Sequence, residues 1–150
     1  MAEKKSDGDE AEAYYSMGDA YFQEEDCEKT IECYQKAIKL NPNFAEAYYS
    51  MGIVYCFDEN YDKGIEYYQK AIELEPNFAE AYYEMSITYE IKGDYVKAIE
   101  CCQKAIELKP NCADEYNARL RQYCMIKQNY DKAFENYKNK IEFSGDTLPF

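Results

Sequence analysis

Seven cysteines, 18 tyrosines and no histidine set the chemistry open to this 150-residue chain. Without histidine it lacks the commonest general base and the commonest nitrogen ligand for a metal. Cys27, Cys33, Cys56, Cys101, Cys102, Cys112 and Cys124 are odd in number and scattered, with no C-x-x-C pair. They form neither a disulfide framework nor a four-ligand metal set, and they read as free thiols in a reducing compartment. Only the adjacent Cys101 and Cys102 invite a redox role. There is no phosphate-cradling glycine loop and no paired nucleophile and base, so the expectation is no enzyme, no cofactor and no metal.

The tyrosines are more informative because they recur. From Ala11 to Cys112 one 34-residue sentence is written three times, beginning AEAYY at Ala11, Ala45 and Ala79 and closing on Pro-Asn-Phe or Pro-Asn-Cys. A period of this length marks a solenoid, whose units bury their apolar faces only by stacking on one another. Within a unit, Ala45, Tyr48, Met51, Gly52 and Tyr55, then Ile65, Tyr68, Ala71 and Ile72, fall at helical spacings of three and four.

Each unit is therefore a helical hairpin. The spacing predicts first helices near 10–24, 44–57, 78–92 and 112–127, and second helices near 27–40, 61–74, 95–108 and 130–143. Pro42, Pro76 and Pro110 separate the hairpins. Asn43 with Glu46, Asn77 with Glu80, and Asp9 with Glu12 read as capping boxes, and Asp26, Asn60, Asp94 and Asn129 as caps of the second helices. Small residues at Gly18, Gly52 and Ser86 face bulky ones at Tyr34, Tyr68 and Cys102, which gives Cys102 a packing role in place of an aromatic.

These residues resemble the tetratricopeptide repeat: an aromatic, a Leu-Gly-like pair, a tyrosine, a small residue, an aromatic, an alanine and a proline at set intervals. The resemblance implies an all-α, right-handed α-solenoid of four helix-turn-helix hairpins, eight helices in all, with the first helices lining a concave groove. It implies units at about 11–44, 45–78, 79–112 and 113–146 within a domain at 10–143, flanked by a flexible tail at 1–9 and a second tail at 144–150. The fourth unit is degenerate. One added residue restores Leu120, Ala133, Tyr137 and Ile141 to register, but Arg121 and Lys140 stand where glycine and alanine stood. Bulky charge there suits a repeat that ends the stack.

The same geometry selects candidate groove residues: Tyr15, Asp19 and Phe22, then Tyr49, Ile53 and Phe57, then Tyr83, Glu84, Ile87, Glu90 and Ile91, with Gln122 from the fourth unit. Tyr15, Tyr49 and Tyr83 either meet a ligand or cover the neighbouring hairpin. Asp19, Glu84 and Glu90 have no evident role at a helix end, so they point to a peptide carrying basic and apolar residues. Chaperone-binding members of the family grip a C-terminal carboxylate with lysines, asparagines and an arginine. Here the matching positions carry Tyr15, Asp19, Ser50, Glu80 and Glu84, which would repel it.

A net charge of −13 weighs against nucleic acid and anionic membranes. The N-terminus has no apolar signal region and no stretch is long and apolar enough to span a bilayer, so a cytoplasmic location is expected. The sequence thus describes a non-catalytic, peptide-binding scaffold. The alternatives are a self-associating module, as a weak homodimer or through Thr147–Phe150 entering a neighbour's groove, and a consensus-like repeat protein with no dedicated ligand.

Overall fold

The computed structural model describes residues 6–144, so residues 1–5 of the expected N-terminal tail, and 145–150 with Thr147–Phe150, lie outside the described residues. Six helices form three antiparallel pairs: α1 (Asp7–Gln23) with α2 (Cys27–Leu40), α3 (Ala45–Phe57) with α4 (Tyr61–Leu74), and α5 (Ala79–Ile91) with α6 (Tyr95–Leu108). A 3-10 turn at Pro110–Cys112 then leads into α7 (Ala113–Ser144). Pairs join through α2–α3, α4–α5 and α6–α7, so each unit touches its neighbours in sequence, the arrangement of a helical solenoid.

The turns inside the hairpins form as their residues dictate. Asp26, Asn60 and Asp94 accept from the backbone N–H of Lys29, Lys63 and Lys97 at 3.1, 3.4 and 3.1 Å. Before each cap one residue takes a left-handed conformation: Glu25 (φ 59°), Glu59 (φ 58°) and Gly93 (φ 79°). Only at Gly93 does this conformation come without the steric cost of a side chain.

The starts of the first helices differ from expectation. Phe44 and Phe78, without side-chain hydrogen bonds, occupy the cap positions of α3 and α5, and the boxes at Asn43–Glu46 and Asn77–Glu80 do not form. The aromatic rings account for this, because Phe44 packs 5.0 Å from Tyr15 and Phe78 4.9 Å from Tyr49, centroid to centroid. Burying a ring between units outweighs a cap worth about 1 kcal/mol. Helix α1 starts at Asp7, where Ser6 and Asp9 make the capping box in place of Asp9 and Glu12.

The core is a series of tyrosines driven into glycines. Tyr34 and Tyr68 are fully buried, and a Cβ at Gly52 would lie 2.5 Å from ring carbons of Tyr68; Gly18 meets Tyr34 in the same way. In the third unit both partners change together, to Ser86 and Cys102. There α7 supplies the missing bulk, since Tyr116 and Tyr123 enter the cluster around Cys102, whose thiol donates to the Tyr116 carbonyl at 3.2 Å. With the one-residue addition, Tyr116 falls in register with Ala47 and Ala81, and Tyr123 with Val54 and Thr88, all of them buried.

The fourth unit does not close into a hairpin. Helix α7 runs unbroken for 32 residues through Asn129, giving seven α-helices among the described residues in place of eight. The cause is Arg121. It occupies the position of Gly18 and Gly52, where the tyrosine of a returning helix must sit, and Lys140 likewise replaces the fully buried Ala37, Ala71 and Ala105. With no packing to gain from a reversal, the chain between Lys127 and Tyr130 continues as helix.

The Gly–Tyr contact gives a direct test. Gly52→Ala forces a methyl into the Tyr68 ring and is expected to destabilise the protein by about 1–3 kcal/mol in urea unfolding. Gly8→Ala, whose Cβ would meet nothing closer than Ser6 Oγ at 3.7 Å, is expected to be neutral or slightly stabilising.

Candidate binding groove

Helices α1, α3, α5 and the first half of α7 lie side by side, tied by bonds between successive first helices. Tyr15 and Ser50 share a hydroxyl–hydroxyl bond of 3.0 Å, Cys56 and Thr88 are 3.5 Å apart, and Arg119 donates to Glu90 at 2.9 Å. Phe22 and Phe57 meet edge to face at 5.7 Å. The candidate residues therefore share one continuous face.

The tyrosines on that face mainly join units. The Tyr15 ring lies between Tyr34 and Phe44, and Tyr49 lies between Tyr68 and Phe78. Tyr83 stacks on Tyr116 at 4.2 Å and donates to Glu115 at 3.3 Å. All three are half-buried, so part of each side chain remains accessible to solvent. Burial raises the pKa of each phenol, and for Tyr15 and Tyr49 neighbouring carboxylates add to it, so all stay protonated in the physiological range.

Three acids that looked equivalent in the sequence prove to be different. Asp19 accepts from the Tyr34 hydroxyl at 2.6 Å, and Glu90 is paired with Arg119, so both have structural partners. The Glu84 carboxylate has no hydrogen bond or ion pair among the described residues, although its backbone carbonyl accepts from the Thr88 hydroxyl at 2.8 Å. Desolvation lifts its carboxyl above the usual range, opposed by the charge of Arg119 and reinforced by Glu115. Glu80, expected at a helix cap, is ion-paired with Lys109 at the far end of the same unit, which lowers its pKa.

Apolar groups share this face with Glu84. Ile53 and Ile87 are half-buried, whereas Phe57 and Ile91, at the ends of α3 and α5, are 59% and 56% exposed. Gln122 is exposed on α7. The sequence placed Arg119 on this face, in the register of Ser50 and Glu84, but missed its pairing with Glu90, and it missed Tyr116 and Tyr123 as core residues. The added residue before the fourth unit was the signal for the two tyrosines, because it moves them into the buried registers of Ala47 and Val54. The Tyr123 hydroxyl is buried near Ser86, Arg119 and Glu90 without reaching hydrogen-bond geometry to any of them, and burial pushes its pKa up to about 12.

No cluster of metal-ligating side chains occurs among the described residues, and none of their helices is long and apolar enough to cross a membrane. Cys101 and Cys102 hold no reactive thiolate, since burial raises both, Cys101 to about 11.

A stack of helical hairpins with a shared, partly apolar face defines a helical-repeat interaction module. Models of the TPR repeat match residues 18–56, and models of the tetratricopeptide repeat match 45–78 and 79–112. The chain belongs to the tetratricopeptide-repeat family. A Sel1 repeat model matches 120–138, within α7. A comparison with curated proteins gave no match.

Among solved structures, two of MamA are each 39% identical to the chain, with TM-scores of 0.65 and 0.63, and each match covers 69% of it. The chain spans 61% and 57% of their respective lengths. The TPR2B domain of yeast Sti1, solved in a pHsp70 complex, is 23% identical with a TM-score of 0.73, over 77% of this chain and 97% of that one. The first TPR of Spaghetti (RPAP3), bound to the HSP90 peptide SRMEEVD, is 18% identical with a TM-score of 0.76, over 81% and 98%. The last two likenesses show the fold alone.

The unpaired carboxylate has a measurable signature. A raised pKa means that the folded state holds the Glu84 proton more tightly than the unfolded chain, so stability falls as pH rises from the ordinary carboxylate value through the folded one. Glu84→Gln removes that effect. Its Tm is expected to exceed that of the parent at pH 7, with the difference closing below about pH 4, where both forms are neutral. Thermal unfolding followed by circular dichroism at both pH values checks this.

Proposed function

We propose that this chain is a non-catalytic scaffold that holds a peptide segment of another protein in the groove of its first helices. The segment carries apolar residues beside at least one Lys or Arg. Glu84 carries this reading, as a half-buried carboxylate without an ion pair among the described residues, whose desolvation the charge of Arg119 only partly offsets. A partly desolvated charge of this kind gains when a cation reaches it. The apolar Phe57 and Ile91 supply anchoring area, the accessible parts of Tyr15, Tyr49 and Tyr83 supply shape, and the net charge of −13 steers basic segments inward.

The Sti1 and Spaghetti structures, solved with Hsp70 and HSP90 peptides, support the use of this fold for peptides. A C-terminal carboxylate is the wrong ligand for this groove, where Asp19 and Glu84 occupy the positions that should grip it. Seven free thiols suit a reducing cytoplasm. A single groove of this type binds with a Kd on the order of micromolar, because ordering the peptide offsets much of the contact energy.

Selection of a displayed random-peptide library on the protein, followed by fluorescence anisotropy of the recovered sequences, tests the proposal. Recovered peptides are expected to combine Lys or Arg with large apolar residues and to lose about tenfold in affinity against Glu84→Gln, in line with the loss of a partly buried charge pair. Recovery of peptides without basic residues, or equal affinity for the variant, would overturn it. Failure to enrich any sequence would favour a protein with no dedicated peptide ligand.

A further inference from the structure

Beyond Tyr130, whose ring lies 6.0 Å from that of Tyr95, α7 leaves the stack, and every side chain from Asp131 to Asn136 is exposed. Tyr130 is 65% and Phe134 49% exposed, and Ile126, Asn129, Tyr130 and Ala133 line an apolar hollow of about 260 Å³. The sequence continues this stripe to Tyr137 and Ile141, at helical spacing. A lone helix of about 15 residues is marginal in water and draws its stability from a packed face. Its own unit cannot provide that face, because Arg121 stands where the stripe would have to land.

We propose that the stripe is covered by the same stripe of a second copy of this chain, in an antiparallel two-fold pairing centred between Phe134 and Glu135. The charges beside the stripe select this occupant. Lys127, Asp131, Glu135 and Lys138 share one flank, with Lys127 2.7 Å from Asp131 and Lys138 3.8 Å from Glu135. In the antiparallel pairing Asp131 falls opposite the partner subunit's Lys138 and, by symmetry, Lys138 falls opposite the partner's Asp131. Lys127 falls level with position 142, a glutamate in the sequence. Glu135, beside the centre, makes a like-charge approach on this flank that Lys138 of its own helix offsets. In a parallel pairing this flank of one copy lies on the opposite side of the seam from that of the other, so Asp131 and Lys138 do not meet.

A two-fold interface is self-complementary in this way. Tyr130 and Phe134 are 65% and 49% exposed, so each buries only part of the about 150–250 Å² of a whole aromatic, and the pairing falls below the roughly 1,200 Å² of stable specific interfaces, among weak ones. Such an area fits a Kd on the order of micromolar. The pairing leaves the groove of the first helices free, so it is independent of peptide binding.

Sedimentation equilibrium of the full chain from about 1 to 300 μM tests the pairing. The mass is expected to rise from 17.7 kDa toward twice that value. Asp131→Lys and Lys138→Asp are each expected to raise the dimer Kd about tenfold, because each sets like charges face to face. An equimolar mixture of the two restores both attractive pairs and is expected to recover the parent affinity. Phe134→Glu is expected to abolish the dimer with the helical circular dichroism kept. A mass of 17.7 kDa at every concentration would overturn the proposal. So would a dimer indifferent to both charge variants, or a loss that mixing does not restore.

Discussion

Everything in this molecule depends on how closely two helices of a hairpin can approach. Glycine at positions 18 and 52 lets a tyrosine ring lie directly on the opposing backbone, and that contact sets how closely the two helices of the hairpin pack. Where the contact is kept, the hairpin closes and presents its first helix to the shared face. In the third unit it is exchanged for serine against cysteine, and the space is filled from outside the hairpin, by Tyr116 and Tyr123. At Arg121 it is lost, and the hairpin opens into one long helix.

The repeat made most of this legible in the sequence. Fixed spacing placed the three hairpins, and Asp26, Asn60 and Asp94 capped the helices they were expected to cap. A cap that depends on three local residues can be read locally. The starts of α3 and α5 could not, because the choice between an asparagine cap and a phenylalanine packed on the preceding unit is decided by rings 29 residues away in the chain, Tyr15 for Phe44 and Tyr49 for Phe78. Arg121 was visible as an obstacle to a further hairpin. That it also obstructs its own hairpin follows only from seeing the Tyr34 and Tyr68 rings against Gly18 and Gly52.

The groove shows the same division. The resemblance to a repeat family set its residues on successive first helices, and links such as Tyr15–Ser50 and Phe22–Phe57 join those helices. Their chemistry was decided by partners from other helices. Asp19 is held by a tyrosine of α2, and Glu90 by an arginine of α7, so two of three similar acids are structural while Glu84 keeps a free carboxylate. An ionic pattern along one strand of sequence cannot distinguish a paired acid from an unpaired one when the partner lies about 30 residues on.

The buried hydroxyl of Tyr123 carries a consequence for motion. It lies at the junction of α7 with the rest of the stack and lacks a hydrogen bond, a deficit of about 1–3 kcal/mol at one joint. Stability in a linear array is a sum of units and joints, so this deficit lowers the free energy needed to part α7 from the third hairpin and leaves the joints among the three hairpins unchanged.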